Sequence, residues 1–415
     1  MNDRLQTLDA DQEVVSRADQ QFATIASGQP GGRPLRLLFV TQSYLTYTSG
    51  VESHVRQVAQ RLVRWGVDVT VLASDPSGRL PPAEESEGVA VRRVRAWPSW
   101  ADYYFAPGIW SAIVHGHWDL IHIQCYHTFV APFGMLAALR THTPYLVTFH
   151  TGGHSSGLRN ALRGAQIWLL RPLLTRAERL VTLARFESDL FGARLEIPAE
   201  RFVMIPNGSD LQAAAALQPR PPAGATIASV GRLERYKGHH RILAAMPEVL
   251  RRRPDARLLI LGTGPYKDEL QRMVLELGLA GQVQIRSIPP ADRQAMAETL
   301  SMCAMVVLLS EFETHPIAVL EALSLGRPAL VADTSGLAEI AEAGLARAIP
   351  LHSSPQAVAS AVLEQLEHPL IPEHVHLPTW DECASQLLAL YQDILEHKTP
   401  AAQAHEGNKA QLMPT

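Results

Sequence analysis

The sequence predicts an α/β protein built from two successive, doubly wound, Rossmann-like units. Short β-branched runs alternate with longer amphipathic runs from Leu35 onward, the rhythm of a parallel sheet flanked by helices. That rhythm breaks once, in the Ala- and Pro-rich stretch Leu211–Gly224, and then resumes. A chain of 415 residues also exceeds the usual size of a single core, so two domains are expected, with a cleft between them.

The elements follow in order. Residues 1–33 read as a flexible leader ending in Gln29-Pro30-Gly31-Gly32. The first unit, 34–210, has strand candidates at Leu37–Thr41, Asp68–Ala73, Leu120–Gln124, Tyr145–His150, Arg179–Leu183 and Phe202–Ile205. Helices Val51–Trp65, Pro132–Arg140 and Leu158–Arg176 fit between them. The linker 211–224 leads to a second unit, 225–378, with strands Thr226–Val230, Arg257–Leu261, Val283–Ile285, Ala304–Leu309 and Ala329–Ala332. A last helix occupies 379–397, and 398–415 reads as a disordered tail.

Composition narrows the function classes. The chain is 47% hydrophobic and 19% charged, with net charge −4, which gives no support for nucleic-acid binding. Cys125, Cys303 and Cys383 are far apart in apolar surroundings, as expected in a reducing compartment. No apolar run approaches the roughly 18 residues of a membrane span, and Met1–Pro30 lacks a signal-peptide core. The expectation is a cytoplasmic protein compatible with peripheral contact at the inner membrane face.

The stretch Glu311–Glu321 carries the most chemistry. It follows an apolar strand and enters a helix that is apolar apart from Glu321 and Ser324. Such a helix is buried, so Glu321 needs a partner. Glu313 stands where a strand end meets a helix start, the place where open α/β sheets bind ligands. Two ionised carboxylates only accept hydrogen bonds and so suit a ligand rich in hydroxyls.

Arg232 and Lys237 lie in Gly231-Arg232-Leu233-Glu234-Arg235-Tyr236-Lys237-Gly238, just after the first strand of the second unit. A guanidinium fork and an ammonium point charge at a strand end can grip a diphosphate; the plainer reading is a solvated loop. Gly262-Thr263-Gly264-Pro265 permits close backbone approach to a ligand or makes a simple strand-to-helix turn. Gly50, in Tyr47-Thr48-Ser49-Gly50-Val51-Glu52, opens a helix and suits a phosphate or sugar, or marks only a helix entry. His150 ends a strand and precedes Thr151-Gly152-Gly153-His154, facing the presumed crevice, although a lone histidine is usually structural. The 17 histidines show no metal-site spacing, and Asp9-Ala10-Asp11 reads as accidental in the polar leader. Leu158–Arg179 carries five arginines among Leu, Ile and Trp168; a packed helix with snorkelling arginines is preferred to a membrane-facing one.

Together these segments resemble the retaining, GT-B-fold glycosyltransferases of family 4, over nearly all of Leu35–Leu395. The most specific match is Glu313 and Glu321 within S-x-x-E…L-E-A-L-x-x-G-x-P, followed by Gly231-Arg232 with Lys237-Gly238. Pro206-Asn207-Gly208-Ser209-Asp210, Val147–His150 and Ser49–Glu52 also match family segments.

The resemblance implies an N-terminal acceptor domain, a C-terminal nucleotide-sugar domain, and a last helix crossing back to the first domain. It implies that Arg232 and Lys237 hold the donor diphosphate, that Glu313 binds the donor sugar's hydroxyls, and that Glu321 binds the ribose. Gly264, Ser287 and Ile288 would lie by the nucleotide. Thr314, His315 and Ile317 would bind the donor, and His150, Gly50 and Asn207 would contribute from the first domain. No cofactor or metal is expected, because the cations already neutralise the diphosphate. The partners implied are a UDP- or GDP-hexose and an acceptor glycan, lipid or small molecule.

Three departures stand out: Thr314-His315-Pro316 in place of a glycine-containing turn, Ser49 for a glycine, and Ala184 for a frequent serine. The altered turn leaves a second reading open, a catalytically weak nucleotide-sugar-binding module, and a GT-B-like sugar-nucleotide epimerase is a third, with the same fold and different chemistry.

Overall fold

A computed structural model describes residues 33–45, 50–98, 104–150, 157–211, 224–289 and 292–410. The leader through Gly32, the turn Tyr47–Ser49, the segment Thr151–His154, most of the proposed linker and the end of the tail lie outside the described residues.

The first sheet has eight strands in the order β3-β4-β2-β1-β5-β6-β7-β8. They are β1 (Arg36–Thr41), β2 (Asp68–Asp75), β3 (Ala83–Ser86), β4 (Val89–Arg95), β5 (Leu120–Gln124), β6 (Tyr145–Thr148), β7 (Leu180–Thr182) and β8 (Phe202–Met204). All pairings are parallel except β3 with β4. Strand β1 is the pivot, with Leu37 paired to Val69 on one side and to Leu120 on the other. Its run Leu37–Thr41 is buried throughout, as a strand covered by helices on both faces must be.

The second sheet has six parallel strands in the order β11-β10-β9-β12-β13-β14. These are β9 (Thr226–Val230), β10 (Arg257–Leu261), β11 (Val283–Arg286), β12 (Met305–Leu308), β13 (Ala329–Ala332) and β14 (Arg347–Ile349). Strand β9 pairs with β10 and β12, so each sheet reverses its winding beside its first strand. Loops that diverge at such a point open a crevice at the strands' C-terminal ends.

Three strands went unread in the sequence. The β3–β4 hairpin turns at Glu87 (φ 53°) and Gly88 (φ 77°), two left-handed residues in a row, which is the geometry of a tight hairpin turn without the Asn-Gly or Asp-Gly signature. Strand β4 also carries Arg93, a charge that argues against burial until its partners appear. Its guanidinium donates to Glu84 at 2.6 Å and to the carbonyl of Tyr44 at 3.3 Å. Strand β14 has only three residues, too short for any periodicity.

The last helix starts at Trp380 and packs into the first domain, with Cys383, Ala384, Leu387, Tyr391 and Ile394 buried in its core. It returns to that domain, but it runs to Ala410, well past the end near Glu396 read from the sequence.

The helix Gly157–Leu174 buries Ile167, Leu170 and Leu174 yet leaves Trp168 and Leu169 each 71% exposed. No helix among the described residues is long and apolar enough to cross a membrane.

Candidate active site

The second domain's site is built by the loops after β9 and β12. After β9 the chain passes through Arg232, makes a short 3₁₀ turn at Arg235–Lys237, and enters helix α6 (counting helices in chain order), His239–Arg252. Gly238 joins turn to helix at φ 75°, and a Cβ there would lie 1.9 Å from the Leu309 carbonyl oxygen. Only glycine allows this approach, and it brings Lys237 beside the end of β12. There the Lys237 ammonium donates to both carboxylate oxygens of Glu313, at 2.7 and 2.8 Å.

Three further contacts fix Glu313. Its Oε1 accepts from the Ser310 hydroxyl at 2.8 Å, its backbone N–H donates to Ser335 Oγ at 2.8 Å, and its carbonyl accepts from Gly336 N. Burial works against the Lys237 charge, but Glu313 more than offsets it, so the ammonium's pKa rises. The ring of Tyr236 adds a cation–π contact 5.4 Å from the ammonium. Two of the three ammonium protons are engaged by Glu313, which leaves one for a ligand.

Arg232 is different. Its side chain is 58% exposed and meets Glu234 at 3.2 Å. Its backbone is held from beneath, because buried His239 bridges Ser229 Oγ (2.8 Å) and the Arg232 carbonyl (3.2 Å). Burial depresses the His239 pKa to about 4, so the bridge is made by a neutral ring. The chain thus presents an exposed guanidinium beside a fixed ammonium–carboxylate pair.

Gly264 does not lie open to a ligand through its missing side chain. A Cβ there would fall 2.4 Å from the Leu233 carbonyl oxygen, and Leu233 N donates to Thr263 O at 2.8 Å. The glycine serves the close packing of two loops, a use that its sequence context shares with ligand approach. Ser287 and Ile288 follow β11; Ser287 is exposed and Ile288 packs against the core.

Thr314 and Ile317 are half-buried at the entry to helix α9, Ile317–Ser324. Between them, His315 Nδ1 is buried with no hydrogen-bond partner among the described residues. Burial pulls its pKa to about 4, leaving a neutral polar atom unsatisfied beside Glu313.

One turn along α9 and beyond, Glu321 is 4% exposed. Its Oε1 accepts from Arg293 Nη2 at 2.5 Å and from the Ser209 hydroxyl. Burial raises the Glu321 pKa, and Arg293 and Ser209 oppose that rise. Ser209 belongs to the Pro206–Asp210 segment and pairs with Thr379 in an isolated bridge, so the two chain crossings between the domains run side by side at the residue that reaches Glu321.

In the first domain, His150 holds φ 44°, a left-handed conformation that a non-glycine residue rarely adopts. Its Nε2 bonds Gln124 Oε1 at 2.6 Å, and its ring meets His54 edge-on at 4.7 Å. His54 Nδ1 in turn bonds Asn207 Oδ1 at 2.8 Å. Burial keeps His150 and His54 neutral, with the latter at about 4. Gly50 is the exposed first residue of its helix. No metal-holding group of three or more His, Cys, Asp or Glu occurs among the described residues.

The domains also touch at helix α5, Arg185–Leu195. Its cap residue Ala184 offers no side-chain hydrogen bond. Glu339 of the second domain supplies one instead, accepting from Phe186 N at 2.5 Å and Arg185 N at 3.3 Å. Phe186 and Phe312 stack edge-on at 5.3 Å alongside.

Residues 49–208 match the glycosyl transferase 4-like domain, and residues 217–376 match the glycosyl transferases group 1 domain. The chain is a GT-B-fold glycosyltransferase of family 4. Among relatives of this glycosyltransferase, the phosphatidyl-myo-inositol mannosyltransferase of Mycolicibacterium smegmatis is 29% identical over 369 residues, 83% of this chain and 90% of that enzyme. The D-inositol 3-phosphate glycosyltransferase 1 of Catenulispora acidiphila is 25% identical over 385 residues, 84% of this chain and 91% of that protein. Anabaena HepE, solved with UDP and glucose, shares the fold at a TM-score of 0.63 and 18% identity, over 89% of this chain and 100% of that one.

Sequence reasoning passed over Arg293, His54, Gln124 and Glu339. Nothing in their local sequence distinguishes them from surface charges or core polar residues. Ser310 and Ser209 stand inside quoted motifs and were within reach.

Proposed function

We propose that this glycosyltransferase moves a hexose, with retention of anomeric configuration, from a UDP- or GDP-linked donor to an acceptor hydroxyl, without a bound metal. The observation that carries the reading is the Lys237–Glu313 pair with Arg232 exposed beside it, at the winding reversal of the second sheet. Arg232 and the remaining Lys237 proton would neutralise the departing diphosphate, which removes the need for a cation. Glu313 would receive the sugar's hydroxyls and Glu321 the ribose.

Transfer would proceed on one face. The acceptor oxygen bonds the anomeric carbon as the bond to the phosphate oxygen breaks, and the acceptor's proton passes to the leaving phosphate. His150 would orient the sugar or the acceptor from the first domain, with Asn207 acting on it through His54. The acceptor classes are a glycan, a glycolipid or a small metabolite. The phosphatidyl-myo-inositol mannosyltransferase relative supports a glycolipid. Exposed Trp168 and Leu169 support peripheral contact with a membrane face.

Radiolabelled GDP-mannose, UDP-glucose and UDP-N-acetylglucosamine, each incubated with extract, should give transfer or slow hydrolysis from one donor, and NMR should show the donor's anomeric configuration retained. An inverted product, or full activity in the Arg232→Ala/Lys237→Ala variant, would overturn the proposal.

A further inference from the structure

Glu321 is the buried charge for which the sequence demands a partner, and its surroundings are lopsided. Both contacts, Arg293 Nη2 at 2.5 Å and the Ser209 hydroxyl, fall on Oε1. Oε2 carries no hydrogen bond among the described residues. Arg293 is itself 29% exposed in its side chain and opens helix α8, Arg293–Ser301, just beyond Ser287 and Ile288. A carboxylate clamped through one oxygen presents the other in a fixed direction.

We infer that Arg293 is a positioning residue that clamps Glu321 through Oε1 so that Oε2 receives the ribose diol of the nucleotide donor. This rests on the donor reading above and adds a residue that none of the quoted motifs contains. The physical need is plain. Helix α9 is apolar around Glu321, and an acid there drifts toward its neutral form. A neutral acid offers a poorer acceptor to two hydroxyls than a carboxylate does. The groups facing Glu321 are Arg293, Ser209 and, through space, Asp210, whose charge pushes the same way as burial. Arg293 is the cation that opposes both.

The role differs from that of a strut in what it makes the protein recognise. Calorimetry with UDP, GDP and their 2′-deoxy and 3′-deoxy forms reads it directly. The wild type should bind UDP or GDP and lose roughly tenfold or more when a ribose hydroxyl is removed, the range of a hydrogen bond to a charged group. In Arg293→Met the ribonucleotide should weaken by a similar factor, and the deoxy penalty should collapse toward one. Binding in that variant should also fail at a higher pH than in the wild type, because Glu321 then protonates sooner. Arg293→Lys should keep the wild-type pH profile. Glu321→Gln should abolish the deoxy penalty, and adding Arg293→Met to it should change that ratio no further.

An Arg293→Met protein with wild-type affinity, deoxy ratio and pH profile would overturn the inference. If that variant does not fold, Arg293→Gln, which keeps a hydrogen bond and drops the charge, carries the same test of the pH shift. Failure of the wild type to bind either UDP or GDP would overturn the donor reading itself, and this inference with it.

Discussion

Glu313 and Glu321 stand eight positions apart in the chain, both buried and both answered by a cation. They are solved by different means. Glu313 takes a two-oxygen grip from Lys237 and a hydrogen bond from Ser310, and its backbone N–H donates to Ser335, all within the second domain. Glu321 takes one-oxygen contacts from Arg293 and from Ser209, which stands where the chain leaves the first domain. The first is a closed unit that any fold of the second domain must contain. The second keeps its Arg293 contact within the second domain, but its Ser209 contact exists only when the two domains are seated together. A buried carboxylate can thus serve either as a fixed piece of chemistry or as a joint, and the identity of its partners decides which.

Breaking the first unit should have the largest effect. Lys237→Met should cut turnover by on the order of a hundredfold or more. It should also cost about 3 kcal/mol of stability, because Glu313 is left buried and unpaired. Arg232→Ala should cost comparable turnover while the melting temperature stays nearly fixed, since that side chain is mostly exposed. Paired melting and rate measurements check both, and an unchanged melting temperature in Lys237→Met would break the comparison.

The pH dependence is the next largest. His239 has its pKa lowered to about 4 in the folded protein, against an unfolded value of 6.5. The unfolded chain therefore binds the proton first, and the stability held above pH 6.5 is lost as pH falls toward 4. Each such histidine contributes about 1.4 kcal/mol per pH unit in that window. Thermal melts from pH 7 to pH 4 should fall steeply, and His239→Gln should flatten the curve.

Smaller changes separate the unit from the joint. Ser310→Ala and Ser209→Ala should each cost about 1 kcal/mol, the usual worth of a hydrogen bond. Of the two, only Ser209→Ala should broaden the thermal transition, because the Ser209 bond spans the domains and the Ser310 bond does not; equal widths in calorimetry would dissolve the distinction. Glu339→Ala should have the smallest effect, about 1 kcal/mol or less from the lost helix cap. It should be felt as looser domain contact, measured as a change in small-angle scattering with little change in melting temperature.

Much of this was legible before any coordinates. The strands at Leu120–Gln124, Thr226–Val230, Arg257–Leu261 and Ala329–Ala332 fall where their apolar runs place them. Parallel strands covered on both faces write themselves into the sequence as continuous apolar runs. Strand β4 did not, because Arg93 is acceptable inside only once Glu84 and the Tyr44 carbonyl are there to receive it. Lys237 and Glu313 were legible as separate motifs, and their meeting across Gly238 was not. Arg293 and Glu339 left no trace, since an arginine or glutamate on a helix surface is the commonest residue in its place.

The sequence by itself determined the two largely parallel sheets, the break between them, the strand ends that lead to Arg232, Lys237, Glu313 and His150, and the apolar helix that carries Glu321. Those follow from local periodicity and from chain chemistry at short range. Tertiary structure alone decided which cation answers which carboxylate, that Gly264 serves loop packing, that Glu339 caps a helix in the other domain, and that Glu321 lies at the crossing. Each of these depends on groups far apart in the chain, and their energies are set by burial and direction, which no local pattern encodes.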